Sequence, residues 1–336
     1  MKRTLILLLV LVAMAMCYYF LVVKKDAQPN SSIQIDDREF VVENEEDIHV
    51  ITIKSQGYPL VHLSRSEDIW LLNQRYKASE NVVDNMLSVL TEMRLNYIPP
   101  KSQMEMIQKS IENVGMEIKT YDKDGNILSD FIMAGNTNKE DGTYCIKRDA
   151  SQPYVMSMPV VEGGLRNYFN MELIAMRDKT MVELDVNKIK LIKVDYPKDI
   201  TNSYQIRKDG RSYIFEPRGV QFKSSGTFSD NIIQSYVRDF NVLKAEYIST
   251  DNPARDTIKN RLAFAEILIQ MEDNRQFKMD FFPDQDIYDR TVNTVSIENL
   301  GRVDRYFVDT SWGEFYTVQH RLISKWLRTP KHFLSR

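Results

Sequence analysis

Cysteine is nearly absent. The 336 residues hold two, Cys17 and Cys145, and Cys17 falls in an apolar run near the amino terminus. The rest of the chain therefore has no pair for an internal disulfide, which suits either redox compartment and identifies neither. Histidine is almost as scarce, at His49, His62, His320 and His332. His49 and His62 are expected to face each other across adjacent strands, but two imidazoles fall short of the ligand set a metal requires. There is no Gly-x-Ser-x-Gly elbow and no phosphate-binding loop ending in Gly-Lys-Ser/Thr. No catalytic residue, cofactor or metal is therefore assigned. Cys145, inside the expected strand Tyr144-Cys145-Ile146, reads as a packed apolar residue and not as a nucleophile.

Positive charge is also in short supply. The formal net charge is −3, and setting aside Lys2, Arg3, Lys24 and Lys25 leaves 40 basic against 47 acidic residues, an excess of seven acids. Nucleic-acid binding needs a basic footprint, so no nucleic-acid partner is expected. The acids themselves show no paired-carboxylate signature. Glu43, Glu45, Glu46 and Asp47 form a hydrated run before the first expected strand. Asp284, Asp286 and Asp289 share a loop that either stands in solvent or offers oxygens to a hard cation. Asp122-Lys123-Asp124-Gly125-Asn126 has its glycine too early for a calcium loop and lacks the closing glutamate, so it reads as a hairpin turn.

One long hydrophobic run is present. Leu5 to Val23 is apolar apart from Tyr18 and Tyr19, with Lys2-Arg3 before it and Lys24-Lys25 after it. Its length approaches the roughly 20 residues that cross a bilayer as a helix. A cleaved signal peptide has a shorter core followed by small residues, whereas here Tyr18 to Val23 continue the run. Met16, just before Cys17, is not the small side chain expected beside a lipidated cysteine. Residues 1–25 are thus expected to be a retained anchor in a bacterial membrane, crossing through residues 5–23. The short basic amino terminus should stay cytoplasmic and the remainder lie outside the cytoplasm. No later segment is apolar enough to cross again, so a single-pass protein is expected.

The chain also repeats itself. Ser79 to Ile98 lies without gaps on Ser229 to Ile248, pairing Ser79 with Ser229, Asn81 with Asn231 and Tyr97-Ile98 with Tyr247-Ile248. Val82, Val83, Met86, Leu87, Leu90 and Met93 meet apolar partners at the spacing of one helical stripe. Each copy opens on a serine able to cap a helix and an acid suited to its first turn. The flanks repeat as well. Ile48 to Ile53 resembles Ile189 to Val194, both β-branched runs expected to be strands. Ile69 to Leu72 and Tyr213 to Phe215 precede the two helices. Beyond them, Met116 to Met133 around Asp124-Gly125 and Ile267 to Phe282 around Asp273-Asn274 read as hairpins. Tyr144-Cys145-Ile146 parallels Tyr306-Phe307-Val308, and Tyr154-Val155 parallels Tyr316-Thr317.

These features predict an α+β protein of two similar units, each mostly antiparallel strands packed with helices, after a single N-terminal transmembrane helix. A polar linker spans 26–39, the first unit 40–175, and the second unit 176–336 with a basic C-terminal helix. The order Ile189-x-Leu191-Ile192-x-Val194, Tyr213-Ile214-Phe215, a capped helix and strands around a polar turn resembles the bacterial domain-of-unknown-function family 4340. Met176-Arg177-Asp178-Lys179-Thr180 resembles that family's junction between copies. The resemblance covers roughly residues 40 to 320 and supplies no catalytic residues. It implies an extracytoplasmic or membrane-associated α+β protein, sometimes found with ABC-type transport or gliding-associated membrane components.

Two segments remain as contact candidates. Val318, Leu322, Ile323, Trp326 and Leu327 can share one face of a helix from Tyr316 to Phe333, with Arg321, Lys325, Arg328 and Lys331 around it. Such a helix either lies on an anionic surface or closes the second core with its apolar stripe. Trp312 sits in a turn-like stretch and can stand exposed. Trp312, Arg321, Lys325 and Trp326 are therefore the expected contact residues. Gly163-Gly164 ahead of Leu165-Arg166 reads as a bend between units or, alternatively, as a phosphate-binding helix start. The expected function is a noncatalytic, membrane-anchored accessory or scaffold of the bacterial envelope that contacts a membrane or envelope protein. The alternatives are an extracytoplasmic binding module for polysaccharide, peptide or lipid, and a hydrolase joining the Asp284 loop to His320.

Overall fold

The computed structural model describes residues 40–159, 163–169, 171–218, 227–284 and 303–335. The expected anchor and linker, and the loop acids Asp286 and Asp289, lie outside them. Among the described residues no helix is long and apolar enough to cross a membrane. The chain divides into two compact units between Arg177 and Asp178.

In the first unit, strands β1 (Val50–Ser55), β2 (Val61–Ser66), β3 (Ile69–Leu72) and β4 (Tyr76–Lys77) lead to helix α1 (Glu80–Glu92). Then follow β5 (Arg94–Tyr97), α2 (Met104–Val114), β6 (Met116–Tyr121), β7 (Ile127–Asn136), β8 (Thr143–Lys147), β9 (Tyr154–Ser157) and the single turn α3 (Leu173–Met176). The strands form one antiparallel sheet in the order β4-β3-β2-β1-β6-β7-β8-β9-β5. Alternation decides its faces: β1 buries Ile51, Ile53 and Ser55 while Thr52 and Lys54 point the other way. Val83, Met86, Leu87 and Leu90 of α1 join Ile51, Ile53, Leu63, Ile118 and Phe131 in one buried cluster. Each such side chain is worth about 1.5 to 3 kcal/mol, against about 0 to 1 kcal/mol for an exposed ion pair. The helix therefore belongs to the sheet through this stripe. α2 covers part of the opposite face, where Ile107 packs with Ala134, Tyr144 and Val155.

The second unit contains β10 (Thr180–Glu183), β11 (Ile189–Asp195), β12 (Tyr204–Asp209), β13 (Ser212–Pro217), α4 (Asp230–Arg238), β14 (Val242–Lys244), β15 (Tyr247–Ile248) and α5 (Arg255–Lys259). It continues through β16 (Ala265–Met271), β17 (Gln276–Pro283), β18 (Arg305–Thr310), β19 (Phe315–Gln319) and the short α6 (His320–Ile323). Its main sheet runs β13-β12-β11-β16-β17-β18-β19-β15, while β10 and β14 pair separately. Omitting β4, the two sheets match strand for strand. A small apolar cluster of Ile258, Ala263, Phe282 and Phe315 sits where the first unit places Ile107.

Registers make the repetition residue-specific. Ile53 faces Ile118 as Val194 faces Ile267, and Tyr97 faces Val155 as Tyr247 faces Thr317. The matched segment of 20 residues is thus a helix followed by an edge strand: α1 ends at Glu92, α4 at Arg238, and the shared tyrosines lie in β5 and β15. One expected correspondence slips by a residue. Cys145 faces Met133 and Tyr154, while Val308 faces Phe281 and Tyr316, so Tyr144-Cys145 corresponds to Phe307-Val308. A one-residue shift exchanges the faces of a strand; Tyr306, fully buried in the second core, occupies the place of Thr143.

Other local expectations need correction. Ser79 and Ser229 stand at the N-cap positions, but neither hydroxyl makes a capping bond. Their backbone N–H groups donate instead to Met176 O and Phe333 O, 2.7 and 2.8 Å away. His62 faces Thr52, and His49 lies opposite Arg65, so the two imidazoles do not oppose each other. The basic C-terminal helix is not continuous. Phe315–Gln319 extends the sheet as β19, α6 lasts one turn, and Pro330–Phe333 forms a 3-10 turn. Pairing with β18 and β15 outweighs the helical spacing of Val318 and Leu322. The segment then closes the core: Ile323, Trp326, Leu327 and Phe333 are buried. Tyr204 OH donates to Tyr236 OH, and Tyr236 OH to Trp326 O, each at 2.7 Å.

Candidate functional site

The two faces of each sheet differ in kind. One is sealed by α1 or α4; the other carries charge wherever α2 or α5 leaves it uncovered. In the second unit Asp195 faces Glu266, Glu266 faces Asp280, and Asp280 faces Asp309 across four neighbouring strands. At about 4.8 Å between strands, four carboxylates form a row about 14 Å long. Directly opposed like charges destabilise a sheet, so cations must intervene. Lys193 lies 2.7 Å from Asp195, which Arg218 also contacts. Lys278 reaches Glu266 at 3.3 Å and Asp280 at 3.2 Å. Arg255 of α5 meets Asp309 at 2.9 Å.

The corresponding row in the first unit is Lys54, Glu117, Ile132 and Ile146. Only the acid of β6 and β16, Glu117 or Glu266, is common to both. Glu117 accepts from Arg148 at 2.7 Å, and this bond holds its carboxyl below the usual range. The two sheets share their strand order, and their open faces carry different residues.

Asp280 is the least satisfied member. The Lys278 ammonium is 3.2 Å from both of its oxygens, but hydrogen-bond geometry is met only at Oδ2, leaving Oδ1 buried without a hydrogen bond. Burial is the main cause that raises this carboxyl above its ordinary value of 3.8; Glu266 and Asp309 add to it, and Lys278 opposes it. A carboxyl raised on folding binds more protons in the native state. Its favourable contribution is complete below the unfolded value and is lost as pH rises through the folded value. Asp280→Asn is therefore expected to raise the melting temperature at pH 7, with the gain shrinking towards pH 4. An equal gain at both pH values in parallel melts would show that desolvation of this carboxyl is not the cause.

Trp312 occupies the β18–β19 turn at one end of this row. It is 36% exposed and meets Phe277 edge-on at 5.9 Å. The turn is tied to the row: Ser311 N–H donates to Lys278 O, and Arg255 Nη2 donates to both Gly313 O and Asp309 Oδ1, all at 2.9 Å. Gly313, at φ +87, supplies the left-handed conformation that closes it. Arg321 and Lys325 are elsewhere, beyond the far end of β19, whose five residues span about 17 Å. Arg321 Nε donates to Gln319 Oε1, and Lys325 lies 3.8 Å from Asp239. Trp326 is fully buried, stacked on Phe240 at 4.4 Å with its Nε1 donating to Asp239 O. Its indole is a core group, which removes it from any contact surface.

Two further sequence candidates take structural places. Asp122 accepts from Asp124 N, Asn126 N and Asn126 Nδ2, so its carboxylate builds the hairpin turn. The Cys145 thiol is pushed up by complete burial, which suppresses the thiolate. His320 stacks on Tyr306, with Nδ1 at 3.4 Å from its hydroxyl. Asp284 is held at the backbone by Arg305 O. Glu43, Glu45, Glu46, Asp47 and Glu92 line an open cleft of about 560 Å³. Among the described residues no three histidine, cysteine or acidic side chains are placed to hold a metal ion.

The acid row escaped sequence reading because its members lie up to 114 positions apart in the chain and belong to strands whose neighbours only the fold defines. The one available signal was alternation, which puts Glu266 and Asp280 on the polar sides of their strands. No family model matches the chain, and no curated protein matches it.

Proposed function

We propose that this chain is a noncatalytic accessory or scaffold of the bacterial envelope, anchored through residues 5–23, whose second unit docks a membrane or envelope protein through its open sheet face. The observation that supports this reading most is the ion-paired row from Asp195 to Asp309 with Trp312 at its end. Interleaved charges across neighbouring strands suit orientation and selection of a protein partner, and an exposed tryptophan is a favoured anchor. The apolar run at the amino terminus and the resemblance to family 4340 support the envelope setting.

A photo-crosslinking residue placed at Leu268, between Lys193 and Lys278 in the register, tests this in intact membranes. A discrete adduct with one protein is expected there and none at Ser235, on the outer side of α4. A smear of neighbours from Leu268, or the same products from both positions, would refute docking through this face.

A further inference from the structure

The turn between β1 and β2 stands out of the first unit as an uncharged, partly apolar tip. Gln56, Gly57, Tyr58, Pro59 and Leu60 are all exposed, between the buried Ser55 and Val61. Tyr58 and Leu60 are 51% and 54% exposed. The turn is fixed at its root, where Tyr58 N–H donates to Ser55 O at 3.3 Å and Gly57 takes a φ of +80 that glycine adopts without strain. A Cβ on Gly57 would meet nothing within 4 Å, so the tip projects clear of the unit. Val114, the last residue of α2 and 42% exposed, lies beside the root. Ser55 faces Met116 in the register, and its hydroxyl donates to Gly115 O at 3.3 Å, which holds the end of α2 there.

Exposed apolar side chains grouped on a projecting turn mark a contact, and the tether of this unit points to what is contacted. Phe40, the first described residue, packs on Phe131 at 5.7 Å. Phe131 faces Ile118, which faces Ile53, two residues before the root of the turn at Ser55. The 14 residues 26–39 that join this point to the apolar run reach at most about 50 Å. A bilayer holding residues 5–23 is therefore within reach of the tip. A projecting point offers a rigid protein surface little area, whereas a fluid interface closes around it. Tyrosine, with an apolar ring and a polar hydroxyl, suits the headgroup level.

We infer that Tyr58 and Leu60 insert into the surface of the bilayer that anchors the chain, so that the first unit touches lipid through this turn. The contact rests on the anchor proposed for residues 5–23 and is independent of the docking face of the second unit. No charged residue lies from Ser55 to Val61. The tip therefore takes zwitterionic as well as anionic lipid, and its contact resists salt, which screens charges and not apolar burial.

The test uses the full chain with Cys17→Ser in phosphatidylcholine nanodiscs, carrying a nitrobenzoxadiazole fluorophore at Leu60→Cys; the remaining thiol, Cys145, is buried. Quenching by lipids with a doxyl group near the headgroup is compared with that of the same label at Ile127→Cys. Ile127 is 57% exposed and faces Tyr121, at the end of the sheet away from the tip. Quenching at Leu60 that is unchanged by salt, with none at Ile127, is expected. Tyr58→Asp should abolish it while circular dichroism stays that of the parent. No quenching in chain that the discs retain overturns the tip contact and leaves the anchor standing. Equal quenching at both positions overturns it as nonspecific adsorption. A blue-shifted but unquenched label overturns the lipid assignment, because a protein, a second copy included, then covers the tip. Chain that elutes apart from the discs overturns the anchor and the contact together.

Discussion

Trp326→Ala is expected to cost the second unit about 3 to 5 kcal/mol, the range for removing a large buried aromatic side chain. The indole is wholly buried between Phe240 and the final residues of the chain, and its backbone oxygen accepts the hydroxyl of Tyr236. Deleting it opens a cavity at the junction of α4 and the C-terminal segment, and strips Asp239 O of the Nε1 bond. Trp326→Phe separates the two losses. It retains a ring on Phe240 and leaves that carbonyl unmatched, for about 1 to 3 kcal/mol. Urea unfolding followed by circular dichroism measures both. If Trp326→Ala costs no more than Trp312→Ala, whose side chain is partly exposed, the closing role of the terminal segment is wrong.

Phe131→Ala should be equally severe in the first unit, again about 3 to 5 kcal/mol. Phe131 is fully buried on β7 opposite Ile118 and meets Phe40 edge-on at 5.7 Å, while Phe40 meets Tyr154 at 5.9 Å. Removing Phe131 takes away one of the two rings packed edge-on against Phe40, and such edge-to-face pairs add about 0.5 to 1.5 kcal/mol beyond burial. Ile127→Ala, four residues away on the same strand and 57% exposed, should stay within about 0.5 kcal/mol of the parent. Comparable midpoints for the two variants in the same urea titration would contradict the packing described for β7.

These expectations rest on faces, and faces were largely legible. The β-branched runs at Ile48 and Ile189 became β1 and β11, and the stripe Val83, Met86, Leu87 and Leu90 became the buried side of α1. The repeated order of elements was legible because α1 and α4 share cap position and apolar spacing even where their residues differ. Reading failed where periodicity was ambiguous. Val318, Leu322, Ile323 and Trp326 satisfy a helical spacing, yet Phe315–Gln319 had a sheet edge available and joined it. The Tyr144 slip has the same origin, since alternation tells which residues share a face but not their register.

By itself, the sequence determined the strand and helix segments, the repeated order of elements, the scarcity of metal and disulfide chemistry, and the apolar run that suggests an anchor. Each is local, set by side-chain period, composition or turn chemistry within a few residues. Tertiary structure alone decided that Asp195, Glu266, Asp280 and Asp309 stand in one row and that Trp326 is interior. Those facts depend on which strands are neighbours and where a turn lands, and a strand's own pattern is compatible with many partners.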